Sequence, residues 1–340
     1  MGRIWMPDTR LMMPIGLGSR ARPAGSVSTI SSPTTAYRYD GPLTLTVPGT
    51  NLDPSTSISV DGVPYATTYV SPTAVTISIP GAHDPTSILR TASARTLTAS
   101  TGGSASWTIA DWTETDEAAC TAGWLANPTN CNGASTAQRF SPWTDLNGVE
   151  DLANGGGTSA FYFPANHTGY SWNIPSVYVD VGFTMTRTAQ TINGSQYFVV
   201  CAVNQAIFDG FNRTILEFDG GARSLTVPAS SNVIRWTDTP NIGGAAAVID
   251  TGTLVAEDNR AVYSIWRAAD ASVHMQRSLA TEFTPVTNNN SGGTGGAMRI
   301  GSTTMSGGAV IPYISTWSSD PGQAVRLRAR NKALIAVGLA

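Results

Sequence analysis

The chain has 340 residues, of which only 13% are charged, and a formal net charge of −3. Average globular proteins carry about 25% charged residues, so long charged helices are excluded, and a single lysine among twenty basic residues excludes the basic stripe that a nucleic-acid backbone demands. Nine Trp, ten Tyr and nine Phe, interleaved with Val and Ile, exclude intrinsic disorder, and the length suffices for two or more domains.

Residues 1–26 form an arm with four arginines in its first 22 positions. Asp8, Thr9 and Pro14 interrupt its apolar residues, so it reads as neither a signal peptide nor a membrane span. Trp5, Met6, Leu11, Met12, Met13, Ile15 and Leu17 carry too much apolar surface to stay in water, which predicts docking onto another subunit.

From residue 27 to 110 short runs alternate apolar and polar residues, as in Leu43, Leu45 and Val47 and again in Val75, Ile77 and Ile79. Period two means strands with one buried face. The dipeptides Asp40-Gly41, Pro48-Gly49, Asp61-Gly62 and Pro80-Gly81 fall between the runs and predict turns, giving a small antiparallel sandwich. The stretch ISSPTTAYRYDGPLTLTVPGTNLDPSTSISVDGVPYATTYVSPTAVTISIP resembles an IPT/TIG domain, with its early proline, its alternating strand, its Gly-x-Asn-Leu turn and its Val-Asp-Gly hairpin. Pro48 and Leu52 depart from that pattern. The resemblance implies an immunoglobulin-like spacer or docking module rather than chemistry.

Residues 111–157 are rich in Gly, Asn and acidic residues and alternate poorly, which predicts linker and entry loops. Trp112, Trp124 and Trp143 are expected to pin these loops to a sheet, an exposed platform for sugar being the alternative. Cys120 and Cys131 bracket a short loop that a disulfide would close in an oxidising medium, whereas Cys201, inside YFVVCAV, reads as a small buried hydrophobe.

Strands return between 158 and 340. Val177, Val179, Val181, Phe183 and Met185 alternate, and the runs SQYFVVCAV, RTILEFDG, NVIRWTD, AVYSIWRAADASVHMQRS, GAMRIGS and AVIPYISTW follow. The predicted core includes Val179, Val181, Phe183, Ile215, Ile265, Met275, Ile300 and Ile314. Hairpin turns are expected at Asp219-Gly220 and at 268–271. Only the tail has helical character, with Asp320 as expected N-cap and Pro321 in the first turn. The order of these features resembles the laminin-G-like and concanavalin A-like jelly rolls. The whole is therefore expected to be all-β: an immunoglobulin-like sandwich followed by a larger jelly-roll sandwich.

Catalytic constellations are sparse. Only six glutamates exist, and Glu217-Phe218-Asp219, the one pair suggestive of a jelly-roll glycosidase strand, lacks the third carboxylate that would protonate a leaving oxygen. His83, His167 and His274 are dispersed, and no nucleophile elbow or phosphate loop is present. No metal site is assigned; calcium, which jelly rolls of this resemblance often hold, has Asp209, Asp219, Asp238 and Asp250 as candidate ligands without a dense acidic run. The reading is therefore non-enzymatic.

Sugar recognition needs flat aromatic faces flanked by planar polar groups. Trp236 with Arg235 and Asp238 is the expected contact set, and Trp266 with Arg267 and Asp270 is the second position of that kind. An adhesin-like build without a readable export signal is expected of a bacteriophage virion protein, a tail fibre or spike or a head decoration, released by lysis and contacting a host glycan. Its partners would be other virion subunits and host polysaccharide, with oligomeric assembly and neither nucleic acid nor membrane insertion. The alternatives are a secreted bacterial glycan-binding or glycan-cleaving protein and a ligand-free capsid cement.

Overall fold

The computed structural model describes residues 28–127, 129–131, 133, 138–140, 142–146, 148, 151–154, 160–163, 174–179, 184–188, 192, 196–206, 211–239, 246–254, 260–287, 297–301 and 309–340. The docking residues Trp5, Met6, Leu11, Met12, Met13, Ile15 and Leu17, together with Val181, Phe183 and Asp209, lie outside them.

The first sandwich packs two sheets. One has the order Thr29–Ile30, Leu43–Thr50, Ala74–Ile79, Thr67–Ser71, and the other Ala36–Tyr37, Ser104–Ala110, Ser93–Ala99, Ile58–Val60, Val63–Tyr65. The alternation does what it should: Leu45, Val47, Ile58, Val60, Val75, Ile77, Ile79, Leu97, Trp107 and Ile109 all turn inward and are at most 1% exposed. Asp61 and Gly62, with φ of 50° and 82°, make the doubly left-handed turn that suits a two-residue hairpin. Pro48-Gly49 is not a turn. Both residues lie within Leu43–Thr50, where a Cβ on Gly49 would come within 2.3 Å of the Thr29 carbonyl oxygen of the neighbouring strand. The glycine is there for close strand approach rather than for chain reversal.

The second sandwich faces a six-stranded sheet, ordered Cys120–Leu125, Tyr313–Trp317, Tyr197–Val203, Ala261–Arg267, Ser272–Arg277, Val286–Thr287, against a seven-stranded sheet. The latter runs Ala153–Asn154, Thr184–Arg187, Met298–Gly301, Arg213–Phe218, Arg223–Val227, Arg235–Asp238, Ala247–Asp250. A further five-stranded sheet, Gln138–Phe140, Ala160–Phe163, Ser176–Val179, Ala309–Ile311, Gln205–Ala206, completes it. The molecule is thus all-β, an immunoglobulin-like sandwich followed by a larger jelly-roll sandwich. The segment expected to be linker supplies the edge strand Cys120–Leu125, which pairs with Tyr313–Trp317. Trp112, Trp124 and Trp143 are all at most 2% exposed, so they pin chain to sheet and offer no platform. Cys120, Cys131 and Cys201 are thiols, and burial pushes Cys131 up to about 12.

The strands Tyr197–Val203 and Ala261–Arg267 are buried at every position. Tyr197, Val199, Cys201, Val203, Tyr263 and Ile265 point into the jelly-roll core, as do Ile215, Met275, Ile300 and Ile314. Phe198, Val200, Ala202, Val262, Trp266, Tyr313 and Trp317 point the other way and share a core with the first sandwich and with the single described α-helix, α1 (Gln323–Ala336). A sheet covered on both faces requires continuous apolar runs, and that is what YFVVCAV is.

Helix α1 starts two residues after the expected cap: Gly322 is the N-cap, with φ of 85°, and the Asp320 carboxylate instead accepts from the Gly322 N–H (3.0 Å) and from Arg326. Its buried stripe, Val325, Ala329, Ala333, is small enough to bring the helix close to the sheet. From its flanks Arg328 pairs with Asp40 (2.6 Å), Asn331 donates to the carbonyls of Tyr39 and Asp40, and Lys332 reaches Glu114 (2.5 Å). Glu114, 1% exposed, also accepts from the Tyr313 hydroxyl. The helix therefore fastens the two sandwiches together.

Candidate ligand-binding site

Ala261–Arg267 and Ser272–Arg277 form a hairpin whose turn is closed by Ala268 and Ser272 (2.9 Å), with Ala271 left-handed at φ 66°. Cross-strand register sets Trp266 opposite His274 and Ser264 opposite Gln276. Alternation then sends these four side chains to the outer face, toward α1. From the helix, Gln323, Arg326, Leu327 and Arg330 descend at the i, i+3, i+4, i+7 spacing of one face. Between hairpin and helix lies a cleft of about 320 Å³, lined by those helical residues with Ser264, Trp266, Gln276 and Glu282.

Its groups are held in fixed orientations. The rings of Trp266 and His274 are stacked at 4.8 Å with 4° between their planes, and the Arg326 guanidinium sits 4.6 Å from the Trp266 ring centre. Both Asp320 carboxylate oxygens hold Arg326 at 2.5 Å. His274 Nδ1 meets Glu282 Oε1 at 2.5 Å, and its Nε2 meets Ser272 Oγ at 2.6 Å. The Gln276 side-chain N–H donates to the Ala280 carbonyl (2.7 Å), which turns its oxygen to accept from Arg330 (2.5 Å).

Ser272, His274 and Glu282 stand in the order nucleophile, base, orienting acid. The Ser272 hydroxyl, however, also lies against the Asp270 carboxylate, whose pKa is held down chiefly by the hydrogen bonds from Ser272. The hydroxyl has one proton, and a carboxylate only accepts. That proton goes to Asp270, so Ser272 is an acceptor toward Nε2 and the row fixes a ring rather than activating a nucleophile. Glu217 and Asp219 are likewise not an acid and base pair: Glu217 meets Arg299 (3.3 Å), whereas the Asp219 side chain is 2% exposed against Arg223 (3.1 Å).

The expected contact set is not assembled at the surface. Trp236 and Asp238 share the inward face of Arg235–Asp238 and are at most 1% exposed. The Trp236 indole N–H donates to the Tyr197 hydroxyl (3.1 Å), which donates to Asp238 (2.9 Å), and Arg223 approaches Asp238 at 3.4 Å. A ring with no open face cannot stack on a sugar. Arg235 points outward and forms two bonds of 2.7 Å with Asp250. The calcium candidates Asp219, Asp238 and Asp250 thus each face an arginine, and among the described residues no three His, Cys, Asp or Glu side chains gather as metal ligands. The cleft residues carried a weaker signal in the sequence: an i, i+3, i+4, i+7 row in the one helical segment, and Trp266 with polar neighbours on a hairpin.

No protein-family model matches the chain, and no curated protein does. Solved structures do. Domain 4 of AbnA, an extracellular GH43 arabinanase from Geobacillus stearothermophilus, in complex with arabinotriose, is 11% identical over 62% of this chain and 99% of that one, with a TM-score of 0.43. The receptor-binding domain of botulinum neurotoxin type G gives 13%, 63% and 51%, with 0.40, and a Trypanosoma rangeli sialidase in complex with sialic acid gives 10%, 92% and 45%, with 0.39. The chain spans about half the length of the latter two. At these scores the functional reading rests on the chain's own residues.

Proposed function

We propose that this protein is a non-catalytic glycan-binding attachment protein, whose jelly roll carries the sugar site and whose first sandwich is the stalk that holds it. The observation that carries this reading is the cleft between α1 and the Ala261–Arg267 hairpin. It brings guanidinium, amide and carboxylate groups, fixed in place by second partners, to the buried edge of Trp266, whose ring is itself covered by His274 and Arg326. Planar polar groups that converge on one cleft are what the hydroxyl edges of a sugar need. At about 320 Å³ the cleft lies at the small end of ligand pockets, about 300–1,000 Å³, which suits one sugar unit of a longer chain.

The test is a glycan array probed with the intact protein and with a variant at an exposed residue that lines the cleft, Gln323→Ala. Selective binding that the variant loses while keeping its melting temperature is the expected result, and a blank array with folded protein overturns the reading. In its finer form the proposal places the protein in a bacteriophage virion, as a tail fibre, spike or head decoration. A spacer-like sandwich ahead of a lectin-like one supports that setting. Finding the chain in purified particles tests it; recovery only from culture fluid supports the secreted alternative.

A further inference from the structure

We infer that the cleft selects acidic sugars: the ligand carries an oxyanion, a carboxylate or sulfate on the sugar ring, which Arg330 and Ser264 receive. This rests on the glycan-binding reading and narrows it.

The argument is one of charge accounting within the cleft. Arg326 is matched by both oxygens of Asp320, and the Glu282 carboxylate is taken up by its hydrogen bond with His274 Nδ1. Arg330 has no such match. Its Nη1 donates to the uncharged Gln276 oxygen, its Nε is buried with no acceptor, and no carboxylate among the described residues stands within ion-pair distance of it. Burial alone draws its pKa below the ordinary guanidinium value, with no acid nearby to oppose the shift. A guanidinium withdrawn from water without a counter-charge is unfavourable in the free protein, and an anion that enters relieves it.

A second group points the same way. Ser264 is 3% exposed, lines the cleft, and its hydroxyl has no hydrogen-bond partner. Buried hydroxyls in folded proteins are normally satisfied, so an orphan beside an unmatched cation marks a place where something is meant to bind. The planar guanidinium fits the two oxygens of a carboxylate or sulfate side by side, with the serine proton available to a third acceptor such as a ring hydroxyl. Gln323, in the first turn of α1, brings the positive end of the helix dipole to the same cleft.

The experiment titrates the full-length protein by calorimetry at low salt with D-glucuronate, D-galacturonate, N-acetylneuraminate and N-acetylglucosamine 6-sulfate. Each is compared with its neutral counterpart, the methyl esters of the three acids and unsulfated N-acetylglucosamine. At least one acid is expected to bind tenfold or more tightly than its neutral form, and the difference should shrink as salt rises. Arg330→Gln should bring the acid down to the neutral level, and Ser264→Ala should weaken it several-fold. Equal binding of acid and neutral forms, or a preference that survives Arg330→Gln, overturns the proposal. The comparison within the wild type needs no variant, so misfolding of Arg330→Gln leaves it decisive. The glycan array separates the two readings: selective but charge-indifferent binding defeats only this inference, whereas a blank array defeats glycan binding itself.

Discussion

Trp236, Tyr197 and Asp238 form a buried row of donors and acceptors inside the jelly roll, with Arg223 at the Asp238 end. Trp236→Phe keeps most of the ring volume and removes the indole N–H. It is expected to cost about 1–3 kcal/mol, the usual range for a disrupted buried hydrogen bond, read as a lower urea midpoint, with glycan-array binding unchanged. Loss of binding without loss of stability would restore Trp236 to the ligand site. Tyr197 and Tyr313 also predict an alkaline limit. Burial first, and then the adjoining carboxylates Asp238 and Glu114, raise both phenols well above 10.0. The unfolded chain therefore ionises these groups first. The stability they contribute is complete below pH 10 and is lost as pH rises from there toward the raised folded values. Absorbance at 295 nm should show phenols that ionise only when the protein unfolds.

Helix α1 illustrates how far an element's role outruns its sequence. Its existence is legible from the row of good helix formers after Pro321; its position is not, because nothing in QAVRLRARNKALIA says that the surface awaiting it is the outer face of a β-sheet. The same gap explains why Trp236 and Asp238, expected at the surface, are buried. Alternation tells that Trp236 and Trp266 lie on opposite sides of their strands from their neighbours, but which side is covered depends on the helix and the other sandwich. Pro48-Gly49 is misread for a related reason, since a glycine demanded by a crossing strand looks the same in sequence as one demanded by a turn. By contrast, Asp61-Gly62 and the alternating runs are local, and local rules suffice for them. At this scale Lys332→Met is the informative substitution. It leaves Glu114 buried without its cation, which should cost about 3 kcal/mol, and Glu114→Gln in the same chain should recover most of that loss in thermal melts.

In the whole molecule, one apolar cluster runs from Leu45 and Trp107 of the first sandwich through α1 to Phe198 and Trp317 of the second. Separating the sandwiches would expose that cluster, so they should unfold together. Calorimetry is expected to give a single transition with equal calorimetric and van't Hoff enthalpies, and two resolved transitions would contradict it. The all-β composition and the order of two sandwiches are legible in the chain, because each sandwich is built from runs that fold on their own pattern. The seam between them is not, because it is made from the second faces of strands whose first faces already explain their hydrophobicity.

That seam also has a mechanical meaning. Helix α1 is bonded to Asp40 and to the carbonyl of Tyr39 in the first sandwich, and to Glu114 in the segment that joins the two. A force that pulled the first sandwich away from the second would have to break these bonds as well as open the shared apolar cluster.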